Sequence, residues 1–179
     1  MKINSYAKIN LGLHILDKRE DGFHNIITIF QEIDFHDQLT IEKSETIAFD
    51  TNVNWLDSNN NTCISAIKIL KERYPNLPNF KIFLQKNIPT NAGLGGGSSN
   101  GTATLKAINE LCSLNIQHQE MKELAEKISA DSTFFVNGGM QGGEEKGQKL
   151  SPVKNIKIDN YLLLVMPEIK VQTSDAFMF

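Results

Sequence analysis

The sequence contains little that would place the chain outside ordinary globular proteins. Its 179 residues include only two cysteines, and Cys63 and Cys112 lie far apart without a C-x-x-C pair, so neither a disulfide framework nor a zinc site is indicated. No apolar run reaches the roughly 18 residues of a membrane span, and the longest covers residues 161–167. The first residues lack the apolar stretch and cleavage site of a signal peptide. We therefore expect a cytoplasmic protein without a membrane partner or a metal-ligating cluster.

Charge of one sign is not in excess either. The 18 Lys and Arg residues are opposed by 21 Asp and Glu residues, which gives a formal net charge of -3. A nucleic-acid-binding domain normally carries a basic excess or a basic stripe, so we expect no nucleic-acid partner. Hydrophobic residues at 40% and charged residues at 22% are typical of a soluble domain with a real core. Composition leaves the oligomeric state open.

The hydrophobic pattern predicts both strands and helices. Apolar and polar residues alternate over residues 9–15, as in a half-buried strand, and the charged segment around Asp21-Gly22 predicts a hairpin turn. Further strands are predicted over residues 26–35, 38–42, 80–84 and, as a strand buried on both faces, 161–166. Helical spacing of apolar residues predicts helices over residues 63–74, 103–111 and 121–128. Hairpins followed by irregular alternation favour a two-layer α+β domain.

Residues 87–100 form a glycine-rich segment between a predicted strand and a predicted helix. Its sequence is Asn-Ile-Pro-Thr-Asn-Ala-Gly-Leu-Gly-Gly-Gly-Ser-Ser-Asn. Glycine permits positive φ and close approach of a ligand, and the first N–H groups of a helix attract anions. The segment lacks a Walker-type G-x-x-x-x-G-K-[ST] and misses the Rossmann fingerprint. It therefore predicts another kind of phosphate-binding loop, with a flexible loop that only caps a helix as the alternative.

This segment resembles the ATP-binding motif of the superfamily of galactokinase, homoserine kinase, mevalonate kinase and phosphomevalonate kinase. Its triple glycine followed by Ser-Ser-Asn, together with Ala-Lys-Ile-Asn-Leu-Gly-Leu at residues 7–13 and Arg-Glu-Asp-Gly-Phe-His at residues 19–24, is similar to the 4-diphosphocytidyl-2-C-methyl-D-erythritol kinases within it. The likeness extends from residue 1 to about residue 177. It implies an ATP-binding N-terminal domain over residues 1–153 and the beginning of a C-terminal, substrate-side domain over residues 154–179, whose remainder is absent.

The resemblance implies an ATP-dependent phosphotransferase that phosphorylates the 2-hydroxyl of a small cytidine diphosphate substrate, with ATP and Mg²⁺ as cofactors. Asp131 would accept the hydroxyl proton, and Lys8 would orient the hydroxyl and offset negative charge. From the residues alone, Lys8 and Asn10 share one face of a strand, about 6–7 Å apart and so close enough to bind one ligand, and Asn10 is a candidate substrate-binding residue. A solvated surface lysine is the alternative for Lys8. The residues matched to the ATP-binding motif are Pro89, Gly93, Leu94, Gly95, Gly96, Gly97, Ser98, Ser99 and Asn100.

The resemblance also implies a substrate-binding side. Asp21, Phe23 and His24 would bind the cytidine base, with Phe23 standing where the family has tyrosine. Stacking on a pyrimidine requires the aromatic ring rather than the hydroxyl group, so we expect Phe23 to stack on the base as the tyrosine would. Thr173 and Phe177 are similar to the opposite, second wall of that site.

The segment around Asp131 departs from the family pattern. The family reads Gly-Ala-Asp-Val-Pro-Phe-Phe where this chain has Ser-Ala-Asp-Ser-Thr-Phe-Phe over residues 129–135. A residue before proline is pushed away from helical geometry, so we expect the backbone of Asp131 to relax and activity to fall. A related kinase for mevalonate, homoserine or a sugar, and a nucleotide-binding module without catalysis, are the alternative functions.

Overall fold

The computed structural model describes residues 1–57, 59–154, 156 and 158–166. The strands are β1 (Lys2–Lys18), β2 (His24–Ser44), β3 (Ala48–Thr51), β4 (Asn79–Gln85), β5 (Met140–Glu145) and β6 (Lys149–Pro152). The α-helices are α1 (Thr62–Arg73), α2 (Gly96–Leu111), α3 (His118–Glu126) and the short α4 (Phe134–Asn137), which directly follows a 3₁₀ helix (Ala130–Thr133).

The six described strands form one sheet around the long strand β2. The order is β3-β4-β2-β5-β6, and β1 pairs with the other edge of β2. β1, β4 and β5 all run antiparallel to β2, with β5 beside its first part and β4 beside its last part. Two separate strands were expected over residues 26–35 and 38–42, but the chain continues through them as a single strand. The predicted hairpin turn is present, with Gly22 at φ 84°.

Helices cover one face of this sheet, which confirms the predicted two-layer α+β class. Asn61 caps α1, because its side-chain oxygen accepts from the backbone N–H groups of Cys63 and Ile64. The apolar stripe of α1 faces the apolar residues of β2, β4 and α2. The largest fully buried side chains of this main core are Leu39, Ile41, Ile67, Leu70, Phe80, Ile82, Leu84, Leu105 and Ile108.

Residues 161–166 do not form the predicted buried strand. Tyr161, Leu163 and Val165 are largely exposed, and no strand among the described residues pairs with this segment. A strand buried on both faces needs hydrogen-bonded neighbours and two covering layers, and the described part of the chain supplies neither here. Leu164 alone packs against a small apolar cluster that contains Ala7 and Leu94.

Both cysteine thiols are free. Cys63 is buried in α1, where burial raises the pKa of its thiol to about 12, so it remains protonated and packs as a small apolar residue. Within the described ranges, no helix combines the length and apolar character needed to cross a membrane.

Candidate active site

Lys8 is a buried lysine on β1 with fixed partners. Its ammonium donates to Asn10 Oδ1 at 2.8 Å, lies 3.7 Å from Asp131 Oδ2, and stands 5.1 Å from the centre of the Phe30 ring. Asn10 is held in turn, since its amide nitrogen donates to Thr28 Oγ1 at 2.6 Å. The alternative of a solvated surface lysine is wrong, because only 8% of the Lys8 side chain is exposed.

Asp131 lies in the 3₁₀ helix, and its carboxylate is partly open to solvent. The serines that replace glycine and valine of the family pattern tie this turn to α2. Ser129 Oγ donates to Ser98 Oγ at 2.8 Å and lies 2.7 Å from Ser132 Oγ, while Thr102 Oγ1 lies 2.9 Å from the Ser132 carbonyl oxygen. Hydrogen bonds therefore hold the turn where the family uses proline to restrict it.

The glycine-rich loop lies directly on Lys8. Gly95 is the N-cap of α2 at φ 68°, and a Cβ atom there would lie 2.8 Å from Phe135 Cζ and 3.1 Å from Lys8 Cγ. The Lys8 backbone N–H also donates to the Leu94 carbonyl oxygen at 3.0 Å. The absence of a side chain at Gly95 thus lets the start of α2 approach the catalytic candidates Lys8 and Asp131.

The N-terminus of α2 is built to leave its first backbone N–H groups free of side-chain caps. Gly95 provides none, and no other described side chain caps this helix, so these N–H groups have no intrahelical partner and suit an anion. Ser99 and Asn100 are buried, and Ser5 Oγ lies 2.7 Å from both Ser99 Oγ and Asn100 Oδ1. Their side chains therefore fasten α2 to β1, and a ligand would meet the backbone instead.

The predicted substrate residues Asp21, Phe23 and His24 lie at the tip of the β1–β2 hairpin, whereas Asn10, Asp131 and Gly95 all lie close to Lys8 in the middle of β1. The Phe23 ring is 57% exposed. Lys146, from the β5–β6 turn, places its ammonium 5.3 Å from the centre of that ring and 3.8 Å from Asp21 Oδ2. Thr173 and Phe177 lie outside the described residues.

Three polar residues that sequence patterns did not single out support this centre. Thr28 holds Asn10, and Ser5 holds the first turn of α2. Asp37 is fully buried and accepts hydrogen bonds from the backbone N–H groups of the first two residues of the glycine-rich segment, Asn87 and Ile88. In the sequence, Asp37 is only a charged residue between two apolar segments, a pattern that predicts a break between two strands.

The fold and sequence have clear relatives. Residues 61–140 match the family model described as GHMP kinases N terminal domain. The chain is 39% identical over 180 residues to the 4-diphosphocytidyl-2-C-methyl-D-erythritol kinase of Caldicellulosiruptor bescii, covering 99% of this chain and 63% of that protein. It is 36% identical over 176 residues to the protein of the same name from Persephonella marina, covering 98% of this chain and 64% of that protein. The chain therefore spans less than two thirds of these curated relatives.

Solved structures agree with this grouping. A crystal structure of 4-(cytidine 5'-diphospho)-2C-methyl-D-erythritol kinase superposes with a TM-score of 0.73 at 30% identity, over 86% of this chain and 55% of that one. Mevalonate kinase of Methanococcus jannaschii superposes with a TM-score of 0.63 at 20% identity, over 87% and 56% of the two chains, which shows a shared fold. Residues 61–140, which include the glycine-rich loop and Asp131, are therefore similar to the N-terminal domain of the GHMP kinases, and the chain shares the fold of these solved kinases.

Proposed function

We propose that this chain is the nucleotide-binding part of an ATP-dependent kinase that phosphorylates the 2-hydroxyl of 4-diphosphocytidyl-2-C-methyl-D-erythritol in non-mevalonate isoprenoid-precursor biosynthesis, in the cytoplasm. The observation that carries the proposal is the placement of the Lys8 ammonium 3.7 Å from the Asp131 carboxylate, directly beneath Gly95 at the start of α2. The names of relatives at 36–39% identity support the choice of substrate.

The chemistry follows from what each side chain can do. Asp131 is partly exposed, so it can accept a proton from a hydroxyl group that enters the site. Lys8 has no acceptor atoms, so its ammonium, directed by Asn10, can orient the hydroxyl oxygen and offset the negative charge that develops on it. Phosphoryl transfer depends mainly on positioning and on charge stabilisation, and both residues are held for those tasks.

Phosphates of the nucleotide would lie at the N-terminus of α2, against the backbone of residues 93–98. Mg²⁺ would neutralise part of their charge when it is bound with the nucleotide. No group of three or more His, Cys, Asp or Glu in the described ranges could hold a metal alone, which fits an ion bound largely through phosphates and one or two carboxylates.

The substrate's cytosine would stack on the exposed ring of Phe23, with His24 and Asp21 beside it. Thr173 and Phe177 would form the opposite wall. A phenylalanine ring stacks on a base through its π-face, and the ammonium of Lys146 near Phe23 adds a positive charge that suits a diphosphate.

The test is a direct assay of the protein at the length that its gene encodes. We would incubate it with ATP, Mg²⁺ and 4-diphosphocytidyl-2-C-methyl-D-erythritol and detect a product one phosphoryl group heavier by mass spectrometry. Mevalonate, homoserine and a hexose would be run in parallel. Product from the cytidine compound alone supports the proposal, whereas product only from another alcohol, or none with any of them, contradicts it.

Ser129→Ala is expected to lower turnover moderately, by about 3- to 10-fold, because it removes two hydrogen bonds worth on the order of 1 kcal/mol each, and only part of that loss affects the position of Asp131. The variant loses the contacts of Ser129 Oγ with Ser98 and Ser132, so the turn that carries Asp131 is held less firmly. The measurement is kcat together with the unfolding temperature. Ser65→Ala is the control, because it loses a hydrogen bond from Ser65 Oγ to the carbonyl oxygen of Asn61, the N-cap of α1, and should lower the unfolding temperature without lowering kcat.

A further inference from the structure

We propose that Asp37 and Lys86 form a positioning pair that fixes the glycine-rich loop for nucleotide binding. This inference rests on the proposed function, because it assumes that the glycine-rich loop binds the nucleotide. Neither residue belongs to the glycine-rich motif, and Asp37 lies on β2, 50 residues before the loop begins at Asn87.

Asp37 uses both of its carboxylate oxygens. Oδ1 accepts from the backbone N–H groups of Asn87 and Ile88, each at 2.7 Å, and Oδ2 forms an ion pair with the Lys86 ammonium. The side chain of Asp37 is fully buried, and that of Lys86 is 4% exposed. A buried carboxylate is costly unless it is paired and hydrogen-bonded, so this arrangement is tightly determined.

These contacts fix the entry to the loop. Ile88 follows directly, with Ala7 and Leu94 as partners in one apolar cluster, and the Asn87 side-chain amide donates to the His36 carbonyl oxygen at 2.9 Å. Because Leu94 is bonded to Lys8 at the other end of the loop, both ends are attached to the sheet. The intervening residues 89–93 are thereby held between two fixed points.

Lys86 also contacts the start of helix α2. Its ammonium lies 3.0 Å from the position that a Cβ atom on Gly96 would occupy, so it sits against the first residue of α2. A cation beside a helix N-terminus is unfavourable by itself, and a lone carboxylate there would repel phosphates. The paired charges cancel, so Asp37 can bind two loop N–H groups without placing net negative charge beneath the phosphates.

The decisive variant is Asp37→Asn, studied by nucleotide binding in the protein at its gene-encoded length. An amide offers one acceptor oxygen and one donor group, so it cannot accept from both the loop N–H groups and the Lys86 ammonium. We expect the Kd for the non-hydrolysable analogue AMPPNP to rise about tenfold or more, since small displacements of a positioned group have effects of that size. The KM for ATP should rise in parallel, and the KM for the alcohol should change by less than about twofold, because that substrate binds elsewhere.

A second variant tests the coupling of the two residues. Lys86→Met alone leaves the carboxylate without its counter-charge and should also raise the Kd for AMPPNP. In Asp37→Asn/Lys86→Met the ammonium that competes for the asparagine side-chain oxygen is gone. That oxygen can therefore again accept from the backbone N–H groups of Asn87 and Ile88. We expect the double variant to bind more tightly than Asp37→Asn, a non-additivity that two independent structural losses would not produce.

Leu70→Ala is the control for instability, because it opens a cavity in the main core without touching the loop. It should lower the unfolding temperature and leave the Kd for AMPPNP unchanged. Wild-type Kd values in folded Asp37→Asn, or strictly additive effects in the double variant, would overturn the proposal. If Asp37→Asn does not fold, Lys86→Met decides, and a Kd for AMPPNP equal to that of the wild-type protein in folded Lys86→Met would overturn the proposal.

Amide exchange provides a measurement that needs no variant. In the nucleotide-free wild-type protein, the amides of residues 87 and 88 should exchange slowly, because Asp37 accepts from both, and exchange as fast as that of an exposed loop would overturn the proposal. AMPPNP binding does not require the alcohol substrate. A wild-type protein that binds AMPPNP but phosphorylates no alcohol would therefore contradict the proposed function and leave this inference to be decided by the Kd values.

Discussion

Asp131→Asn and Lys8→Met are each expected to lower kcat by about 100-fold or more, the usual effect of removing a positioned acid–base or electrostatic group. Asparagine keeps the size of aspartate but cannot accept a proton from the substrate hydroxyl. Methionine keeps the apolar stem of Lys8 between Gly95 and Phe30 but removes the ammonium. Both variants therefore change chemistry while leaving the packing of the site in place.

Their KM values distinguish loss of catalysis from loss of binding. The ammonium and carboxylate act on the reacting hydroxyl, so kcat should fall while the KM for ATP changes little. Because the two groups act on one atom, the double variant should be scarcely slower than the worse single variant. Lys2→Met, an exposed lysine near the start of the same strand, is the control and should retain full activity. Losses below about tenfold in both single variants would mean that another pair performs the reaction.

Gly95→Ala is expected to have the second large effect, a fall of about 10- to 100-fold in kcat/KM for ATP. Two separate costs arise. Alanine at φ 68° is strained by about 1–2 kcal/mol, and its methyl group would lie 2.8 Å from Phe135 Cζ and 3.1 Å from Lys8 Cγ. Relief of that contact must displace either the start of α2 or the lysine beneath it.

Matched glycine variants separate the two costs. Gly139→Ala also places alanine at a positive φ, 70°, with nothing within 4 Å of the added methyl group, and it lies outside the loop. It should lower the unfolding temperature without lowering kcat/KM for ATP. Gly93→Ala, at φ 71° and likewise in open space, adds strain within the loop itself. Its loss in kcat/KM for ATP should be intermediate between those of Gly139→Ala and Gly95→Ala. Equal losses in Gly95→Ala and Gly139→Ala would show that contact with Lys8 is unimportant.

Much of the local structure followed from the sequence alone. The alternation over residues 9–15 predicted the strand, Asp21-Gly22 predicted its turn, and helical spacing placed α1, α2 and α3, because each of these patterns depends on neighbours within a few residues. The glycine-rich motif and its lysine partner likewise indicated a resemblance to the GHMP kinases, and the relatives bear out that resemblance. The roles of the individual site residues remain predictions.

Short and unusual strands could not be predicted in this way. β5 contains Gly142 and Gly143, residues with low strand propensity, yet it pairs with β2 along six residues. A Cβ atom on Gly143 would lie 2.6 Å from Phe30 Cε2, so glycine is required by the packing of that ring. Conversely, residues 161–166 have the composition of a buried strand, but composition cannot supply the neighbouring strand that they need.

The sequence by itself determined which elements form and which motifs the chain carries, since both are written in short stretches of residues. Only the tertiary structure decided that Lys8 and Asp131 face each other, that Ser129 and Ser132 fasten the aspartate turn to α2, and that Asp37 is an anchor within one continuous strand. These are contacts between residues distant along the chain. They depend on the register of β2 with its neighbours and on the close approach of α2 at Gly95, and no local pattern encodes either.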